Sequence, residues 1–131
     1  MKEKDMTMLR LLLVDDEQDF LTYASRRFKR RNVDVHTAQT GERALSMLRK
    51  QPFDVMVLDV KMPGMDGLEV LERALEISPK TPVILLTGHA STEAALRGMA
   101  LGAYEYLLKP VQHEELFFKV AEAARASNAT R

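Results

Sequence analysis

The stretch Val55-Met56-Val57-Leu58-Asp59-Val60-Lys61-Met62-Pro63-Gly64-Met65-Asp66-Gly67 carries the decision about the fold. Four apolar residues run straight into the carboxylate of Asp59, and a Pro-Gly turn follows almost at once. A charge at the end of an apolar strand is costly to bury unless something there uses it. The segment Leu11-Leu12-Leu13-Val14-Asp15-Asp16-Glu17 repeats the arrangement, an apolar run tipped with acids.

Further apolar runs lie on either side. Leu9–Val14, Val33–Thr37, Val55–Leu58, Val83–Leu86 and Tyr104–Leu108 read as five strands. Between and after them apolar residues recur at helical spacing: Phe20, Leu21, Ala24 and Phe28; Ala44, Leu45 and Leu48; Leu68, Val70, Leu71, Leu75 and Ile77; Ala94, Ala95 and Met99; Leu116, Phe117, Val120, Ala121 and Ala124. Continuous apolar strands, as opposed to alternating ones, belong to a parallel sheet covered on both faces. Asp66 with Glu69 three residues on reads as an acidic capping box. Pro52, Ser78-Pro79 and Thr81-Pro82 stop helices before the next strand, and Gly102 suits the end of the fourth helix. The expectation is one α/β domain over residues 9–126, an N-terminal extension 1–8 and a polar tail 127–131.

Composition excludes several classes of function. The 131 residues fit one domain, and 46% hydrophobic with 29% charged residues is ordinary for a globular chain. Lys+Arg and Asp+Glu are balanced at 19 each, without the basic excess of a nucleic-acid binder. The run Arg26-Arg27-Phe28-Lys29-Arg30-Arg31 is a local exception, read here as cations complementing the end of a helix dipole. There is no cysteine, which removes disulfides, thiolate metal sites and cysteine catalysis. No apolar run near the start is long enough to span a bilayer, and MKEKDMTMLR lacks a signal-peptide pattern. A cytoplasmic protein is expected. His36 and His113 read as surface histidines.

In a doubly wound sheet, ligands bind outside the carboxyl ends of the strands, where the strand order reverses. Asp15 and Asp16 end the first strand, Asp59 the third and Thr87 the fourth; Lys109 follows the fifth. If the first and third strands are neighbours, these side chains share one rim. Crowded carboxylates repel, and without a cation one of them keeps its proton. Oxygen-only ligands suit a hard ion such as Mg²⁺, beside which Asp59 could act as a nucleophile toward phosphorus. Lys109, the Thr87 hydroxyl and nearby backbone N–H groups would then meet the phosphoryl oxygens.

The pieces LLLVDDEQ, VMVLDVKMPGMDGLEVL, PVILLTGHA and GAYEYLLKPV, in this order over residues 9–125, make the chain resemble a response-regulator receiver domain of the CheY-like superfamily of two-component signalling. The resemblance implies a flavodoxin-like (βα)5 fold with strand order 2-1-3-4-5. It implies Asp59 as phosphoacceptor, with Mg²⁺ held directly by Asp16, mainly through water by Asp15, and by Asp59 and the backbone carbonyl of Lys61. Thr87, Gly88 and Lys109 would contact the phosphoryl group. Thr87 and Tyr106 would form the switch, and the Lys109–Pro110 bond would be cis. Lys61 and His89 would tune hydrolysis of the aspartyl-phosphate.

The implied donor is a sensor histidine kinase. The implied response is a change in the face formed by the fourth helix, fifth strand and fifth helix, which controls a partner or an output domain. A phosphorylation-dependent homodimer is compatible with this, whereas direct nucleic-acid or membrane binding is not expected. The chain ends soon after the fifth helix, so it reads as a stand-alone receiver or as the receiver piece of a longer regulator. GAYEYLLKPV resembles receivers that precede ATPase-type transcription activators. Two alternatives remain: a Mg²⁺-dependent phosphohydrolase with an aspartyl nucleophile, and a docking module that is never phosphorylated.

Overall fold

The computed structural model describes residues 9–62, 64, 66–88 and 92–129. Strands and helices alternate: β1 (Arg10–Val14), α1 (Gln18–Arg30), β2 (Asp34–Ala38), α2 (Gly41–Lys50), β3 (Val55–Asp59), α3 (Gly67–Ile77), β4 (Val83–Thr87), α4 (Thr92–Leu101), β5 (Glu105–Leu108) and α5 (His113–Ala129). The five strands form one parallel sheet in the order β2-β1-β3-β4-β5. This is the flavodoxin-like arrangement, with β1 and β3 adjacent at the point where the order reverses.

Successive strand side chains point to opposite faces, and the three central strands use both. Leu12, Val14, Met56, Leu58, Val83 and Leu85 enter one core with residues of α2 and α3. Leu11, Leu13, Val55, Val57, Ile84 and Leu86 enter the other, under α1 and α5. All residues of β3 and β4 are buried, which accounts for their unbroken apolar sequence. The edge strand β2 is half-exposed and begins with a charge, Asp34, a feature that discourages edge-to-edge pairing.

Helix ends follow from local chemistry, with some departures from expectation. Thr40 Oγ1 accepts the Arg43 N–H at 3.1 Å and caps α2. Asp66 caps α3 by accepting the Leu68 N–H at 3.4 Å. Glu69 does not close a capping box; its carboxylate takes Arg73, one turn on, at 2.8 Å. Gly102 ends α4 with φ +121°, and the N–H of Ala103 returns to the Gly98 carbonyl at 3.0 Å, the geometry that favours glycine after a helix.

Three expectations are corrected. The second strand starts at Asp34 and reaches Ala38, one residue later than its apolar run. Residues 127–129 are not a polar tail but the last turn of α5; Ser127 is buried, and its hydroxyl donates to the Lys80 carbonyl at 2.8 Å. Ser127→Ala removes that bond and is expected to lower stability by about 1 kcal/mol in urea titration. Nor are the two histidines simple surface residues. His36 packs edge-on against Phe53 at 5.4 Å with Asp34 at 3.2 Å, and His113 packs edge-on against Phe28 at 5.0 Å. No helix among the described residues is long and apolar enough to cross a membrane.

Candidate functional site

Register builds the site. Val14 lies opposite Leu58 in the β1–β3 pair, so the residues that follow, Asp15 and Asp59, emerge side by side. Asp59 pairs with Leu86 and Thr87 with Leu108, which sets the Thr87 hydroxyl and the Lys109 side chain on the same rim. Backbone bonds hold the strand ends: Asp15 N–H to Ala38 O at 3.1 Å, Val60 N–H to Leu86 O at 3.0 Å and Lys109 N–H to Thr87 O at 2.7 Å.

One oxygen from each of Asp15, Asp16 and Asp59 lies within 4.8 Å of the others. Asp15 and Asp59 are buried, at 0% and 5% exposure, while Asp16 is more open. Lys109 Nζ donates to Asp15 Oδ2 at 2.9 Å and stands 3.5 Å from Asp59 Oδ2. Asp15 Oδ1 accepts the Glu17 N–H at 2.9 Å, and Asp59 Oδ1 accepts the Lys61 N–H at 3.2 Å. Thr87 Oγ1 is buried and has no hydrogen-bond partner among the described residues. Beside it, no atom of the described residues other than its chain neighbours lies within 4 Å of the Cβ position of Gly88.

One ammonium is too little for three acids. Burial and the neighbouring Asp15 push the Asp59 carboxyl up to about 6, despite the opposing pull of Lys109 and the Lys61 N–H. Burial works against the Lys109 charge, but the bond to Asp15 and the nearby Asp59 carboxylate hold its ammonium above the usual lysine range. Lys109 therefore stays charged and Asp59 lies close to its protonation threshold, a state that a divalent cation would relieve. The donor set is all oxygen and partly solvated, which fits Mg²⁺ and offers nothing to a soft metal.

The structure brings Asp15, Asp16, Asp59, Thr87 and Lys109 together. Lys61 touches the cluster through its backbone. Tyr106 does not join it: paired with Leu85, it is half-buried against the core under α2 and α3. The Lys109–Pro110 peptide bond is cis. His89 lies outside the described residues. Two contacts of Lys109 were not expected from sequence. Glu17 Oε1 lies 3.8 Å from the ammonium, and the Phe20 ring centroid is 5.3 Å from it. Glu17 stands beside the quoted acid pair, so its sequence position was a usable signal. Phe20 gave none, because its spacing is that of any core-facing helix residue.

A doubly wound sheet with this acidic rim, where β1 and β3 lie side by side, defines a class of α/β domain. A family model described as the response regulator receiver domain matches residues 11–121. The chain belongs to that family, the receivers of two-component systems. It is 35% identical over 114 residues to the regulatory protein AtoC of Escherichia coli (strain K12), covering 87% of this chain and 25% of AtoC. The chain spans about a quarter to about half the length of the curated relatives it matches. A CheY-like receiver domain protein from Methanospirillum hungatei JF-1 superimposes with TM-score 0.90 at 29% identity, covering 95% of this chain and 99% of that one. A Burkholderia pseudomallei response regulator, solved with a phosphorylated aspartic acid, a calcium ion and citrate, gives TM-score 0.81 at 25% identity, covering 93% and 72%.

Proposed function

We propose that this receiver accepts one phosphoryl group on Asp59. A carboxylate oxygen of Asp59 attacks phosphorus, the bond from phosphorus to the donor nitrogen breaks, and the departing imidazole takes a proton. Asp15, Asp16, Asp59 and the Lys61 carbonyl are the residues that would hold Mg²⁺, which when bound supplies positive charge to the phosphoryl oxygens. Lys109, already 3.5 Å from Asp59, shifts its ammonium onto one of those oxygens. The Thr87 hydroxyl donates to another, and the Gly88 N–H contributes a further bond. The observation that carries this reading is the Asp59 carboxylate itself: buried, raised to about 6, and 3.5 Å from the Lys109 ammonium, with the unpartnered Thr87 hydroxyl at the end of the adjacent strand β4. The phosphorylated aspartic acid in the Burkholderia neighbour supports it.

The donor in this reading is a sensor histidine kinase acting in the cytoplasm. Movement of Thr87 toward the phosphoryl group makes space for Tyr106 and changes the surface of α4, β5 and α5. That change is read by an output domain or effector that controls transcription, or by a second copy of the chain. The chemistry is a single transfer followed by hydrolysis, not turnover of a substrate.

Incubation with acetyl phosphate and Mg²⁺, followed by intact-mass measurement, tests this. Wild type should gain the mass of one phosphoryl group, and Asp59→Asn should gain none. Continuous release of phosphate over many equivalents would instead identify a phosphohydrolase, and an unmodified wild type a docking module.

A further inference from the structure

The basic run at the end of α1 is only partly explained by the helix dipole. Arg27, Lys29 and Arg30 do lie in the last turn of α1, where the helix end favours cations, and Arg31 is its C-cap. But Arg27, Arg30 and Arg31 also converge with His113 and Glu114 around a concavity of about 160 Å³. His113 is the first residue of α5, and the start of a helix favours anions and opposes cations. Three guanidinium groups at that position repel one another and the helix end.

The charges around the concavity are unevenly paired. Arg31 is occupied: its Nη2 contacts both Glu114 oxygens at 2.8 and 2.9 Å, and its guanidinium lies 4.0 Å from the Phe117 ring centroid. That pairing also neutralises Glu114. Arg27 and Arg30 form no ion pair among the described residues; the Arg27 guanidinium lies 5.4 Å from the Tyr23 ring centroid. Two nitrogens here, Arg27 Nε and His113 Nε2, are buried and have no hydrogen-bond partner among the described residues. Buried nitrogens of this kind ordinarily have one. Burial, then Arg27 and Arg31, pull the His113 imidazole below its usual range, with Glu114 opposing.

We propose that the concavity between the end of α1 and the start of α5 binds a phosphate-type anion through Arg27, Arg30 and His113 Nε2. A tetrahedral oxyanion offers several acceptors to the fork of an arginine, to a ring N–H and to the helix N-terminus together. The site is separate from the Asp59 rim and does not depend on what happens there. Free phosphate and the phosphate of a small organic ester share the recognising chemistry.

The test follows the His113 ring resonances of the full chain by NMR, without Mg²⁺. Potassium phosphate or glycerol phosphate is titrated against potassium chloride at matched ionic strength. Saturable shifts are expected with both phosphates, together with an upward move of the His113 titration midpoint. Tighter binding of the ester would identify an organic phosphate as the ligand, and equal binding free phosphate. Arg27→Gln with Arg30→Gln should weaken binding about tenfold or more, with phosphorylation of Asp59 by acetyl phosphate unchanged as the check on folding. Glu114→Gln, which removes the one acid at the rim, should tighten it. Shifts matched by chloride, or insensitive to both sets of substitutions, would overturn the proposal.

Discussion

Gly67→Ala should destabilise the domain by about 3 kcal/mol, seen as a lower urea midpoint with an unchanged slope. Gly67 opens α3, and a Cβ there would lie 2.2 Å from the Val60 carbonyl oxygen and 2.8 Å from the Val60 carbonyl carbon and Cα. The obstacle is backbone, so no rotamer change relieves it. Val60 directly follows Asp59, and its N–H is tied to Leu86 at 3.0 Å. The two ways to accommodate a methyl group are therefore to push α3 outward or to move the segment behind the Asp59 carboxylate. Either disturbs the rim, so the variant should also take up phosphoryl more slowly. Gly88→Ala is the control for the clash, since no atom of the described residues other than its chain neighbours stands within 4 Å of that Cβ position. It should cost far less stability.

In the absence of Mg²⁺, Asp59→Asn should be more stable than wild type above pH 6 and equal to it near pH 4. The carboxyl is raised to about 6 in the folded chain by burial and Asp15, against about 3.9 when unfolded. Below about pH 4 it is neutral in both states and contributes no difference. Between the two values the unfolded chain has released its proton and the fold still holds it, so stability falls as pH rises. Above pH 6 the full cost of an ionised, buried Asp59 remains. A carboxyl raised this far costs up to about 3 kcal/mol, and water at the open side of the rim brings the expected difference to about 1–2 kcal/mol. Adding Mg²⁺ at pH 8 should stabilise wild type and largely erase the gap. A chelator should restore it. Unfolding curves at pH 4, 6 and 8 for both proteins check the sign and the window.

The fold was legible because its central strands are buried on both faces and so carry unbroken apolar runs, a pattern few other arrangements share. Most of the candidate site was legible for a related reason. Parallel strands all end on one rim, so the residue type at a strand end by itself carries positional information. Asp15, Asp59, Thr87 and Lys109 could be placed together on that ground once β1 and β3 were taken as neighbours.

What stayed hidden depends on partners distant in sequence. The polar composition of Ser127 suggested a tail, whereas its hydroxyl finds the carbonyl of Lys80, which no local pattern announces. His113 looked solvated until α1 and α5 placed it between Phe28 and Phe117. The arginine run read as ordinary helix-end charge, because its second neighbour, the start of α5, lies far along the chain. Glu69 met the spacing of a capping box and took Arg73 instead, a competition that spacing alone does not decide.

The central claim is that Asp59 is the residue that receives phosphorus. Treatment with acetyl phosphate and Mg²⁺, borohydride reduction of the acyl phosphate to homoserine, and peptide mass mapping test it at the level of the single residue. Conversion is expected at Asp59 alone, and none when Mg²⁺ is withheld. Conversion at Asp15 or Asp16, or a stable phosphoryl group on His36 or His113 with Asp59 intact, would contradict it.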